Sequence, residues 1–119
     1  SVDRVIVVVD AGFAVSPDGL TAQMESGVVY GLTAALYGEI SIEQGRVVQT
    51  NFDSYPALRM DKMPVIETHI INSLEAWGGA GEPGTPGTAP ALTNAIFAAT
   101  GKRIRELPVS KYEMQEFTG

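Results

Sequence analysis

Residues 78–90 read Gly-Gly-Ala-Gly-Glu-Pro-Gly-Thr-Pro-Gly-Thr-Ala-Pro, and five of the ten residues from Gly78 to Gly87 are glycine. No regular element tolerates that density. A glycine costs about 1 kcal/mol relative to alanine inside a helix, and Pro83, Pro86 and Pro90 lack the N–H that a ladder needs. The prolines pin φ around the glycines, so the spacing predicts a shaped loop that splits the fold into what precedes it and one helix after it. Ala91-Leu92-Thr93-Asn94-Ala95-Ile96-Phe97-Ala98-Ala99 follows at once and is the cleanest helical run in the chain. Glu82 is the one carboxylate on the loop, held where a backbone free of side chains can come close to a ligand. The competing reading is a helix-entry turn with a solvated glutamate.

The remaining elements follow from period and breakers. Val5-Ile6-Val7-Val8-Val9 is a β-branched run read as a strand buried on both faces. Ser16-Pro17-Asp18-Gly19 is turn chemistry leading into a helix from Leu20 to Tyr37, with Leu20, Met24, Val28, Leu32, Ala35 and Leu36 on one side. Gly27, Gly31 and Ala34 form a small-residue face on that helix, suited to close packing against a strand or a cofactor. A hairpin is expected across Gln44-Gly45, between Glu39-Ile40-Ser41-Ile42 and Arg46-Val47-Val48-Gln49. Asn51 to Pro64 is irregular, with Tyr55, Leu58 and Met60 as anchors. Val65 to Ile71 is the next strand, and His69 shares a face with Glu67, which makes it a solvent or interface histidine. The second helix is expected to start from an N-cap at Thr88 or Ala89, with Pro90 in its first position, and to stop at Gly101. Lys102 and Arg103 complement its dipole. Ile104 to Val109 reads as a short closing strand. These elements predict an α+β domain: two principal helices packed on a mixed or antiparallel sheet of about four to five strands, spanning 1–109, with a polar tail over 110–119.

Composition narrows the chemistry. Apolar residues make up 45% of the chain and charged residues 18%, ordinary values for a globular domain. Eight basic against fourteen acidic residues give a net charge of −6, with no basic patch for nucleic acid. There is no cysteine, which excludes a thiolate cluster, and a single histidine, His69, which disfavours a zinc site built by this chain alone. Gly79-Ala80-Gly81-Glu82-Pro83-Gly84 formally matches a dinucleotide fingerprint, but Thr85 to Ala89 separate it from the helix and Pro83 breaks the turn that motif requires. No Gly-Lys-Ser/Thr occurs for a phosphate loop. The chain opens with Ser1-Val2-Asp3-Arg4 and runs straight into a strand, the expectation for a piece of a longer protein.

Three blocks carry a family resemblance. They are Asp10-Ala11-Gly12 with Ser16-Pro17-Asp18-Gly19 and Gln23-Met24-Glu25-Ser26-Gly27; Asn51-Phe52-Asp53-Ser54-Tyr55-Pro56; and the run from Gly78 through Glu82-Pro83-Gly84 to Lys102-Arg103-Ile104-Arg105-Glu106-Leu107-Pro108. In order and spacing they resemble the C-terminal segment of the molybdenum-binding subunit of the xanthine dehydrogenase/aldehyde oxidase family. The chain is similar to the branch of isoquinoline 1-oxidoreductase β subunits and related aldehyde dehydrogenases. Two positions depart from the family pattern: Ser26 stands where glycine is usual, and Gly87 where a second proline is common.

The resemblance implies a role for particular residues. Glu82, in the Gly-Glu-Pro motif, would be the general base at molybdenum, deprotonating the oxygen that attacks an electron-poor carbon. Gln23 would hydrogen-bond near the metal or pterin, and Gly81 would contact the cofactor; no residue of this chain would ligate the metal. Burial would raise the Glu82 pKa and the positive end of the second helix would lower it, and the sequence leaves both open. The implied cofactor is molybdopterin, in its cytosine dinucleotide form, with molybdenum. The implied partners are the rest of the large subunit, a 2Fe-2S small subunit and a cytochrome c, and the substrate is an aldehyde or N-heterocycle. The chain alone would bind no cofactor and be inactive, and family analogy places the whole enzyme in the periplasm or at the membrane. The alternative is a binding or scaffold module that keeps the fold without the chemistry.

Overall fold

The computed structural model describes residues 1–112. Its elements are β1 (Arg4–Asp10), α1 (Pro17–Tyr37), β2 (Ile42–Glu43), β3 (Arg46–Val47), β4 (Val65–Ile71) and α2 (Thr88–Thr100), with single 3-10 turns at Met60–Lys62 and Val109–Lys111. The class is α+β with two principal helices, as the periodicity predicts. The four strands divide between two sheets. β1 pairs in parallel with β4, in register from Arg4↔Val65 to Asp10↔Ile71, while β2 and β3 form a separate antiparallel hairpin. Parallel partners need a crossover, and α1 together with the hairpin supplies it.

Only one face of the β1/β4 sheet is covered. Val5, Val7 and Val9 point toward α1 along with Ile66 and Ile70, where Val28, Leu32 and Ala35 of α1 meet Leu92 of α2, and Leu20 and Met24 meet Val9. The other face carries Ile6, Val8, Val65 and Ile71, which remain 54%, 60%, 63% and 50% exposed. The sequence reads β1 as buried on both sides; within these residues nothing lies over the second side. Arg4 and Glu67 form a bidentate ion pair on that bare face, at 2.6 and 2.7 Å. The Arg4 guanidinium holds the Glu67 carboxyl below its ordinary pKa. His69 lies exposed on the same face.

Four local expectations are corrected. The N-cap of α2 is Gly87, one residue before the earlier of its two expected positions, so Thr88 opens the helix and Pro90 falls in the third helical position. Its end is as expected: Gly101 adopts φ +73° and its N–H donates to the Phe97 carbonyl at 2.8 Å. Lys102 and Arg103 lie beyond the last turn, and Arg103 folds back over the Phe97 ring, 3.7 Å from its centroid. Ile104 to Val109 forms no strand: Ile104 is buried in the core, and Pro108 has no N–H to give a ladder. Leu58 packs against the core, but Met60 is 86% exposed and anchors nothing. The first residues of the polar tail are tied down, since Lys111 pairs with Glu39 at 2.8 Å and the Tyr112 hydroxyl accepts from the Arg105 and Glu106 N–H groups. The rest of the tail, 113–119, lies outside the described residues.

Candidate functional site

The small-residue face of α1 meets neither a strand nor open space. It is filled by the Gly/Pro loop. A Cβ placed on Gly27 would lie 3.0 Å from the Gly84 Cα, and one on Gly31 would lie 2.6 Å from the Thr88 Cβ and 2.7 Å from the Thr85 carbonyl oxygen. A Cβ on Gly84 would in turn lie 2.9 Å from the Met24 carbonyl oxygen. Three glycines therefore let two backbones approach to a distance that any side chain would forbid. The loop itself is a closed turn: the Thr85 N–H donates to the Glu82 carbonyl at 2.9 Å, and the Thr88 N–H to the Thr85 carbonyl at 3.3 Å.

This packing sets the loop against the exposed side of α1 and leaves a cleft of about 760 Å³ between them. Gln23, Ser26 and Tyr30 line it from the helix, at the three- and four-residue spacing that defines one helical face. Gly81, Glu82 and Pro83 line it from the loop. The three residues singled out in the sequence, Gln23, Gly81 and Glu82, thus come together from two distant segments. Glu82 is exposed, and no side-chain neighbour or ion pair engages its carboxylate among the described residues. A Cβ on Gly81 would meet nothing within 4 Å, so packing inside this chain does not account for glycine there. Ser26, one of the two departures, has its side chain on the cleft; Gly87, the other, is helical at φ −72° and does not need glycine's freedom.

A second, smaller hollow of about 370 Å³ adjoins the first at Gln23. Its walls include Phe13 and Val15 after β1 and Trp77 after β4, all largely exposed. The two loops are stapled together. The Asp10 carboxylate accepts from the Ser73 hydroxyl at 2.7 Å and the Gly12 N–H at 3.0 Å, Ala14 N–H donates to the Asn72 side chain, and Gly78 N–H donates to the Ala11 carbonyl. The Ser73 bond, and then that from Gly12, holds the Asp10 pKa below its usual value. Sequence reasoning missed this apolar wall. It follows from the parallel pairing of β1 and β4, which hydrophobic runs do not reveal and which puts both following loops at one end of the sheet, where sites of open parallel sheets gather.

Comparison with known proteins gives a consistent picture. The family model described as a molybdopterin cofactor-binding domain matches residues 1–64. The chain is 38% identical over 109 residues to the isoquinoline 1-oxidoreductase subunit beta of Brevundimonas diminuta, covering 92% of this chain and 14% of that protein. It is 40% identical over 106 residues to a protein of Gluconacetobacter polyoxogenes named membrane-bound aldehyde dehydrogenase [pyrroloquinoline-quinone], covering 89% and 14%. The chain therefore spans about a seventh of the length of these relatives. Among solved structures, quinoline 2-oxidoreductase from Pseudomonas putida 86 shares the fold with a TM-score of 0.78 at 19% identity, over 87% of this chain and 14% of that one.

Proposed function

The chain belongs to the molybdopterin cofactor-binding domain family of molybdenum-binding subunits, and on that basis we propose that it is part of a molybdenum hydroxylase. That enzyme oxidises an aldehyde or N-heterocycle with water as the oxygen source, and Glu82 is its general base. The observation that carries this reading is the convergence of Gln23, Gly81 and Glu82 on one cleft.

The residues fit the cofactor. The space beside Gly81 admits close approach of a ligand to the backbone, and the Gln23 amide offers both a donor and an acceptor. When bound, the cofactor supplies the redox chemistry and accepts the electrons taken from the substrate. The protein's part is position and proton transfer. The Glu82 carboxylate takes the proton of the attacking oxygen, Gln23 orients the cofactor by hydrogen bonding, and Gly81 keeps the backbone clear of it. Phe13, Val15 and Trp77 extend the apolar surface next to Gln23.

The dinucleotide form of the pterin is the cytosine one in this proposal. Electrons leave through a 2Fe-2S subunit and a cytochrome c, and the isolated chain is inactive because the rest of the large subunit supplies most of the cofactor contacts. Location in the periplasm or at the membrane rests on the membrane-bound relative; among the described residues no helix is long and apolar enough to cross a bilayer.

Glu82→Gln in the holoenzyme tests the base. The expected result is unchanged molybdenum content with turnover lowered by about a hundredfold to ten-thousandfold, the usual contribution of a positioned base. Near-wild-type turnover would end the assignment and favour a scaffold module.

A further inference from the structure

Thr88 is buried, 7% exposed, at the first position of α2. Its hydroxyl donates to the Gly84 carbonyl at 2.8 Å, a bond shielded from water on both sides. Gly84 lies inside the turn that the Glu82 carbonyl and Thr85 N–H close. The Thr88 methine carbon sits in the notch left by Gly31, too close for any side chain there. A continuous chain of contacts thus runs from α1, which carries Gln23, through Gly31 and Thr88 to Gly84 and the turn bearing Glu82. A threonine hydroxyl bonded four residues back is often only self-satisfaction of a buried polar group. Here the acceptor lies before the helix rather than in it, and residues 78–87 take part in no other side-chain hydrogen bond among the described residues. Glu82 itself is exposed and unpaired, so its location depends on the backbone beneath it.

We infer that Thr88 is a positioning residue, whose hydroxyl holds the turn bearing Glu82 at a fixed place opposite Gln23. It touches neither substrate nor cofactor and acts through Gly84. The inference rests on the proposed role of Glu82 for its effect on turnover, but not for its effect on the loop.

The test compares Thr88→Val, which keeps shape and loses the hydroxyl, with Thr88→Ser, which keeps the hydroxyl, in the holoenzyme. Thr88→Val is expected to lower kcat by about tenfold to a hundredfold, the scale of a small misplacement of a catalytic group, with KM nearly unchanged. It should also speed hydrogen exchange at the Thr85 amide, which reports the turn without reference to activity. Thr88→Ser should match wild type in both. Should valine prevent folding, Thr88→Ala, which cannot clash with α1, replaces it and carries the same expectations. Wild-type exchange in the hydroxyl-free variant would overturn the inference, as would equal impairment of the serine variant, which would assign the effect to packing of the methyl. Glu82→Gln serves as the control. If it turns over normally the base assignment fails, while Thr85 exchange still decides whether Thr88 holds the loop.

Discussion

Two buried threonine hydroxyls in this chain have opposite fates. That of Thr88 is bonded to Gly84, whereas the Thr68 Oγ1, on the inward face of β4, is buried with no hydrogen-bond partner among the described residues. An orphaned buried hydroxyl costs about 1–3 kcal/mol, while an apolar group of the same shape has no such penalty. Thr68→Val is therefore expected to stabilise the fold by about 1 kcal/mol, seen as a raised Tm in a thermal melt; a lowered Tm would show that Thr68 has a polar role. Thr68 and Thr88 are the same residue type in a sequence, and nothing in periodicity separates them. Glu82 and Gln23 were legible because each sits in a patterned block of unusual residues. Thr88 was read as a cap, and its bond across to the loop depends on a contact between two helices.

At the level of elements, the helices were readable and the sheet was not. The Leu20–Tyr37 stripe and the Gly101 stop follow from local rules of period and backbone geometry, and both appear as expected. Strand pairing is non-local: β1 and β4 are joined across most of the chain, and hydrophobic runs alone do not tell a parallel pair from an antiparallel one. The parallel pairing has a consequence at the site end, where Asp10 ties the loop after β1 to Ser73 after β4. The folded Asp10 pKa lies below its unfolded value, so the staple's stabilisation is present above the ordinary aspartate value of about 4 and is lost as pH falls through the folded value. Asp10→Asn cannot ionise. It should melt below wild type at neutral pH, with the difference narrowing on acidification below about pH 4. A difference that is constant across that range would remove the charge from the account.

On the scale of the whole molecule, the described residues leave one face of the main sheet uncovered, with four large apolar side chains on it. Parallel strands are ordinarily covered on both faces, and here Ile6, Val8, Val65 and Ile71 stay exposed among Arg4, Glu67 and His69, apolar surface of the kind that drives association. The chain expressed alone is expected to self-associate. Replacing Ile6 and Val8 by threonine, which keeps β-branching, should shift it toward monomer in light scattering with the circular dichroism unchanged. A wild-type chain that stays monomeric at high concentration would contradict this.

By itself the sequence determined the two helices, where each one stops, the Gly/Pro loop and the residues worth testing, because these depend on neighbours in the chain: φ limits at glycine and proline, and period along a helix. Only the tertiary structure decided that the glycine face of α1 receives that loop, that Gln23 and Glu82 share a cleft, and that β1 is apolar on a side nothing here covers. Those are contacts between segments far apart in sequence. Their distances are set by how closely two backbones can approach, and that is a property of the packed pair rather than of either segment.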